Sequence, residues 1–409
     1  MENLTDKSFA TRAVHAGERK EQGIFKPVVT PMHTSVGYTY ESMDQLDRVF
    51  SGEEAGFVYP RFGSPTVAAF EEAMAVLEGG QAAQAFASGM AAIHSTLLAA
   101  GAKAGSTVVA ALDVYGATYT LLQQHFVAQG VKVEWVDVSG YSTVETVMKR
   151  SFNPVILLVE TISNPLLKVA DIPQLVELAH SYGAQLLVDN TFATPYLVNP
   201  LAMGADYSIH SATKYIGGHG DLMAGVVVTS HKKRQQLMEV IKLVGGVLGA
   251  FEAWLALRGI KTLALRMRQQ CDSAVRIAGW LKDQPGIAKV NFPGLREHPQ
   301  NGLAMQMFGR KGFGGMLSFE IRGADKERAF RFMDALRLCQ PATTLGDVYS
   351  LVLHPATSSH RTLSVEERSR VGISDGLLRL SVGIEDPEDI IADINQALVD
   401  VLNNGVSYS

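Results

Sequence analysis

Neither of the two cysteines, Cys271 and Cys339, stands in a CxxC pair. That excludes a disulfide framework and fits a reducing compartment. No apolar run approaches the ~20 residues that a membrane-crossing helix requires. The N-terminal stretch MENLTDKSFATRAVHAGERKE is polar and mixed in charge, without the apolar centre of a secretory signal. These absences make a cytoplasmic protein, with no membrane partner, the expectation. Basic clusters are missing as well. The 36 basic residues against 41 acidic ones give a net charge of −5, so nucleic acid is not an expected partner. Two phosphate-binding signatures are also absent: there is no GxxxxGK(S/T) loop and no GxGxxG after the first strand.

What is present is an ordinary globular balance, 47% hydrophobic and 19% charged over 409 residues, ample for a large core. The pattern divides the chain into three stretches. Residues 1–62 lack long periodicity and carry Pro27, Pro31 and Pro60. They read as an extended arm that contacts a neighbouring subunit, although wrapping on its own chain is the plainer alternative. Residues 63–260 alternate helices and strands. TVAAFEEAMAVLEGG sets Phe70, Met74 and Leu77 on one helical face and stops at Gly79-Gly80. Short apolar strands are expected over 106–112, 132–138, 154–161, 184–190, 205–211 and 224–230, with an amphipathic helix over 171–183. Apolar strands separated by helices predict a mostly parallel sheet covered on both faces, with ligands bound beyond its carboxyl ends. Residues 261–409 change texture. A long helical pattern over 260–284, strands over 314–323 and 376–385, and helices over 325–336 and 386–402 predict a smaller α+β domain.

The segment HSATKYIGGHGD (210–221) poses the chemical question. A surface lysine needs no such setting of hydroxyls, glycines and histidines as surrounds Lys214. Asp189 follows three apolar residues in LLVD, and a carboxylate buried there requires a cation; a solvent-facing loop aspartate is its plainer reading. Lys214 and Asp189 lie at the ends of separate expected strands, so both can face one pocket. A cofactor whose aldehyde meets Lys214 and whose protonated pyridine nitrogen meets Asp189 accounts for both residues. That cofactor is pyridoxal 5′-phosphate (PLP), an electron sink held as a Schiff base. Ser211 and Thr213 then offer hydroxyls to a phosphate. So does the turn Ser88-Gly89-Met90 before an apolar helix, where free N–H groups favour an anion; a simple Ser88 cap is the plainer reading of that turn. Tyr115, after another strand, has a ring to stack on a pyridine and a hydroxyl for acid catalysis; a core-edge aromatic is its plainer reading. A metal held by His210, His219 and Asp221 is the competing chemistry, but their spacing matches no ligand pattern.

The motifs together resemble the cysteine/methionine-metabolism PLP enzymes, the group of cystathionine γ-lyase, methionine γ-lyase, cystathionine γ-synthase and O-acetylhomoserine sulfhydrylase. The resemblance rests on RAVHAGE (12–18), VYPRFGSPT (58–66), ASGMAAI (87–93), DVYGATY (113–119), ETISNPLLKVADI (160–172), VDNTFATP (188–195), SATKYIGGHGD (211–221), LRGIKTL (257–263), HPATSSH (354–360) and RLSVGIED (379–386). It implies a fold type I architecture with an N-terminal arm, a PLP-binding domain and a C-terminal domain. It implies that Lys214 binds the cofactor covalently and that Asp189 pairs with the ring nitrogen. Tyr115 stacks on the ring, and Asn164 binds the phenolate oxygen. Gly89, Met90, Ser211 and Thr213 hold the phosphate, with Tyr59 and Arg61 reaching the phosphate of the adjacent subunit. Arg379 grips the substrate α-carboxylate, a task suited to a bidentate guanidinium, and Thr344 lies beside the substrate. A homotetramer built from catalytic dimers is implied as well.

The subfamily signals are mixed. Where cystathionine enzymes carry a glutamate this chain has Thr343, followed by TLGD (344–347), and Ala117 stands where methionine γ-lyases carry cysteine. The expected activity is γ-elimination on sulfur amino acids such as L-cystathionine, L-methionine or L-homocysteine, giving α-ketobutyrate, ammonia and a thiol. The alternative is γ-replacement on O-acetyl- or O-succinyl-homoserine. A PLP-binding protein without turnover is the reading from another class, and the complete set of Lys214, Asp189, Tyr115 and Arg379 speaks against it.

Overall fold

The computed structural model describes residues 4, 6–18, 26–361 and 363–403. Residues 1–3, 5 and 19–25 of the expected arm lie outside the described residues, as do residue 362 and the last six.

Twelve strands form two sheets among the described residues. The larger contains β1 (Ala82–Phe86), β2 (Thr107–Ala111), β3 (Lys132–Val136), β4 (Pro154–Glu160), β5 (Gln185–Asp189), β6 (Tyr207–Ser211) and β7 (Gly225–Thr229), in the order β1-β7-β6-β5-β4-β2-β3. Pairing is parallel except at β7, which runs antiparallel to both β1 and β6. This is the mostly parallel, helix-covered sheet that the sequence predicts.

Its burial follows the two-residue period of a strand. Val109, Leu157, Leu186 and Val188 pack with the helices Tyr141–Arg150 and Ile172–Ser181. Their neighbours Val108, Ala110, Ile156, Leu158 and Leu187 pack with the helix Gly89–Ala99 on the opposite face. Phe70, Met74 and Leu77 of the helix Pro65–Glu78 are fully buried against Val226, Val228 and the helix Ala250–Ile260. Such burial stabilises by roughly 1.5–3 kcal/mol for each large apolar side chain.

The smaller sheet contains β8 (Ile287–Asn291), β9 (Met316–Ile321), β10 (Gln340–Pro341), β11 (Leu351–Leu353) and β12 (Leu377–Ser381), ordered β10-β11-β12-β9-β8. Its core joins Leu317, Phe319, Leu378 and Leu380 to the helices Leu263–Lys282 and Pro387–Asn403. Strands β1, β8, β10 and β11 were not legible from the periodicity. β1 reads AAQAF and β10 has only two residues. Alanine and glutamine are weak strand formers, and pairing decides such segments.

The arm splits in its behaviour. The helix Phe9–His15 packs on its own chain: Ala13 and Ala16 are buried with Phe70 and Ala73, and Arg12 donates to the Val76 carbonyl at 2.8 Å. Further along, Val28, Val36, Met43 and Phe50 are exposed.

Candidate active site

The carboxyl ends of β4, β5 and β6 put Glu160, Asp189 and Ser211 along one rim of the parallel sheet. A cavity of about 410 Å³ opens there. It is closed on one side by the N-terminal turn of the helix Gly89–Ala99 and on the other by Ser358, Ser359 and Arg379 from the smaller sheet's side of the molecule. Gly89, Met90, Tyr115, Asn164, Asp189, Ser211, Thr213, Lys214 and Arg379 all line it.

Lys214 sits in the turn after β6, its N–H bonded to the Ser211 carbonyl at 3.1 Å and its carbonyl accepting from Gly218 at 2.8 Å. Its ammonium donates to the Thr344 hydroxyl at 3.0 Å. Burial and then the Arg379 guanidinium lower its pKa to about 8, against a smaller opposing pull from Asp347. This amine is therefore available as a nucleophile near neutral pH.

Arg379 stands on β12, buried in the small sheet. One terminal nitrogen donates to Asn164 Oδ1 and the other to the Thr344 carbonyl, both at 3.1 Å. Its Nε is buried and has no hydrogen-bond partner among the described residues. Burial lowers its pKa to about 10, and it remains a cation at neutral pH.

Asp189 accepts from the Thr191 N–H at 3.0 Å and has no ion-pair partner among the described residues. Burial raises its pKa. Beside it, Glu160 is half-buried as well, and its two oxygens accept the N–H groups of Tyr115 at 2.6 Å and Asn164 at 3.1 Å. Tyr115 is 40% exposed at the cavity mouth.

Two expected phosphate contacts, Tyr59 and Arg61, do not line the cavity of their own chain. Arg61 donates to the Lys242 carbonyl at 2.7 Å and lies over the rings of Tyr59 and Phe62. The histidines of the competing metal reading are engaged elsewhere. His210 Nε2 meets the buried Glu78 carboxylate, which Ser208 and Asn190 also bond, and His219 Nδ1 donates to the Gly217 carbonyl.

Sequence reasoning passed over Glu160, Thr191, Ser358 and Ser359. Glu160 was within reach of the argument made for Asp189, since PVILLVE and QLLVD each end an apolar strand in a carboxylate. The two serines sit in a quoted motif but carry no periodic signal.

The cavity fits pyridoxal phosphate. A Cβ on Gly89 would lie 2.8 Å from Ser211 Cβ, so only glycine lets the helix start approach β6 and present bare N–H groups. Asp189, half-buried and with no ion-pair partner among the described residues, suits a protonated ring nitrogen, and the lowered Lys214 suits an aldehyde. A mostly parallel sheet with these groups at its carboxyl ends defines a PLP-dependent enzyme. The sequence comparison agrees and narrows the class. Residues 10–399 match the model of the Cys/Met metabolism PLP-dependent enzyme family, and the chain belongs to that family.

Among its relatives, the L-methionine gamma-lyase of Fusobacterium nucleatum is 42% identical over 402 residues, 97% of this chain and 99% of that protein. The O-succinylhomoserine sulfhydrylase of Pseudomonas aeruginosa is 40% identical over 400 residues, 97% and 96% of the two chains. The crystal structure of cystathionine gamma synthase from Xanthomonas oryzae pv. oryzae, in complex with cystathionine, superposes with a TM-score of 0.90 at 36% identity, covering 97% of this chain and 99% of that one.

Proposed function

We propose that the protein is a carbon–sulfur lyase that eliminates the γ-substituent of sulfur amino acids, with L-methionine and L-homocysteine favoured over L-cystathionine. The observation that carries this reading is the cavity lining. Ile162, Phe192, Met223 and Leu345 are apolar, and Thr343 stands at the rim. The carboxylates lining the cavity are Glu160 and Asp189, both half-buried. An uncharged thioether suits such walls, whereas the distal ammonium of cystathionine needs a carboxylate partner.

Bound pyridoxal phosphate withdraws electrons from the α- and β-carbons of the attached amino acid. Arg379 holds the substrate carboxylate, supported by a buried Nε that has no hydrogen-bond partner among the described residues. Lys214, which would also hold the cofactor through its aldehyde, takes the α-proton, supported by its pKa of about 8. Asp189 would keep the ring nitrogen protonated, and Asn164 would donate its amide to the phenolate oxygen. Gly89, Met90, Ser211 and Thr213 would hold the phosphate. Tyr115 covers the ring and hands a proton to the departing thiolate. Water enters last, so methionine yields α-ketobutyrate, ammonia and methanethiol. Tyr59 and Arg61 complete the phosphate site of a neighbouring subunit, within a tetramer of catalytic dimers in the cytoplasm. Their position outside their own cavity supports that assignment.

The second reading is γ-replacement on an activated homoserine ester. The 40% identity to the Pseudomonas sulfhydrylase, against 42% to the Fusobacterium lyase, supports it almost equally. Comparing kcat/KM for L-methionine and L-cystathionine tests the specificity. Methionine is expected to be the better substrate, and Thr343→Glu should move the ratio toward cystathionine. A native preference for cystathionine overturns it.

A further inference from the structure

Glu160 is a half-buried carboxylate on the cavity wall that the scheme above does not use. It is in register with Asp189 across β4 and β5, so two half-buried carboxylates sit side by side on the cavity wall. Burial, then Asp189 and Asp113, push the Glu160 pKa well above the ordinary carboxylate range. Removing such a group from water is costly unless its oxygens gain partners. The partners are specific: Oε1 accepts the Tyr115 N–H at 2.6 Å and Oε2 the Asn164 N–H at 3.1 Å. Tyr115 precedes the short helix Gly116–Thr120, on which no side chain caps the N-terminus. Asn164 in turn accepts from Arg379 at 3.1 Å. One carboxylate therefore ties together two separate loops and, through the second loop, the guanidinium.

We infer that Glu160 is a positioning residue: its two oxygens fix the backbone at Tyr115 and Asn164, and through Asn164 the Arg379 guanidinium, at the spacing that cofactor and substrate require. The inference rests on the roles proposed above for Tyr115, Asn164 and Arg379. Glutamine at this position keeps the shape but offers one carbonyl oxygen, so one of the two N–H groups faces an amide NH₂ instead of an acceptor.

The test is amide hydrogen exchange on the cofactor-loaded Glu160→Gln enzyme, with steady-state kinetics on the same preparation. Exchange should rise about tenfold within 113–120 and 161–168 and stay unchanged elsewhere, the scale of one lost hydrogen bond. The KM for the amino acid should rise by a similar factor through Arg379, with a fall in kcat through Tyr115. If the glutamine variant does not fold, Glu160→Asp, one methylene shorter, is measured in the same way with the same expectation. Native exchange in both segments, or a uniform rise across the chain with an unmoved KM, overturns the inference. Failure of the native enzyme to release keto acid from methionine overturns the substrate reading instead and leaves the exchange comparison intact.

Discussion

Lys214 and Arg379 meet on a single residue: Thr344 accepts the lysine ammonium on its hydroxyl and the guanidinium on its carbonyl. The lysine amine is thus held close to a permanent cation in a buried setting. Burial and that cation both favour the neutral amine, which gives it a pKa of about 8. Covalent capture of pyridoxal phosphate by the cofactor-free protein should therefore rise with pH and level off above about 8. An ordinary lysine would level off near 10.4. Stopped-flow absorbance measures the midpoint. Arg379→Met should move it upward, because the guanidinium is one of the two causes that lower it.

The same guanidinium should dominate substrate affinity. Arg379→Lys keeps a charge but loses the planar fork that reaches Asn164 and Thr344. A lost charge-assisted hydrogen bond costs about 1.5–3 kcal/mol, so KM should rise roughly 10- to 100-fold, with a smaller change in kcat. Initial rates across a substrate series check this, and an unchanged KM would remove Arg379 from the binding role.

Tyr115→Phe separates the ring from the hydroxyl. The ring stays over the cofactor, so the visible absorption should be preserved. Loss of the acid should lower kcat by about 10²–10⁴-fold. A variant with native turnover would assign the proton to another donor.

Behind the site, Glu78 carries a structural load. Burial alone would raise its pKa, but the His210 imidazole and hydrogen bonds from Asn190 and Ser208 outweigh it and hold the carboxyl below its ordinary value. A depressed folded pKa gives stability that is complete above the unfolded value of about 4.3 and is lost as pH falls through the folded one. Glu78→Ala leaves His210 and Ser208 without this carboxylate, takes one of two acceptors from Asn190, and should cost about 3–5 kcal/mol. Denaturant unfolding of the cofactor-free variant against the native chain, at pH 7 and at pH 4, reads both effects; the loss should be smaller at the lower pH.

The parallel strands were legible because β2, β4, β5 and β6 are largely buried apolar runs, while β3, KVEWV, is only half-buried. Lys214, Asp189 and Ser211 were legible because polar groups at the ends of such runs need a reason to be there. β1 was not, since AAQAF gains its strand only by pairing with β7. Glu160 obeyed the same rule as Asp189 but lacked a distinctive neighbour such as the lysine segment. The bonds from Thr344 to Lys214 and Arg379 span 130 and 35 residues and depend on how the two sheets pack. No local pattern encodes that distance. The short contact between Gly116 and Ser359, where an added Cβ would lie 2.2 Å from the Ser359 carbonyl oxygen, is likewise a product of tertiary closure.

The most direct test of the account is α-ketobutyrate release by the purified, cofactor-loaded enzyme from L-methionine with no thiol added, beside O-succinyl- and O-acetyl-homoserine with sulfide. The account predicts steady keto-acid release from methionine, abolished in Lys214→Ala. No release from methionine or homocysteine, with the esters converted to thiol products only when sulfide is present, would contradict it and make the protein a γ-replacement enzyme.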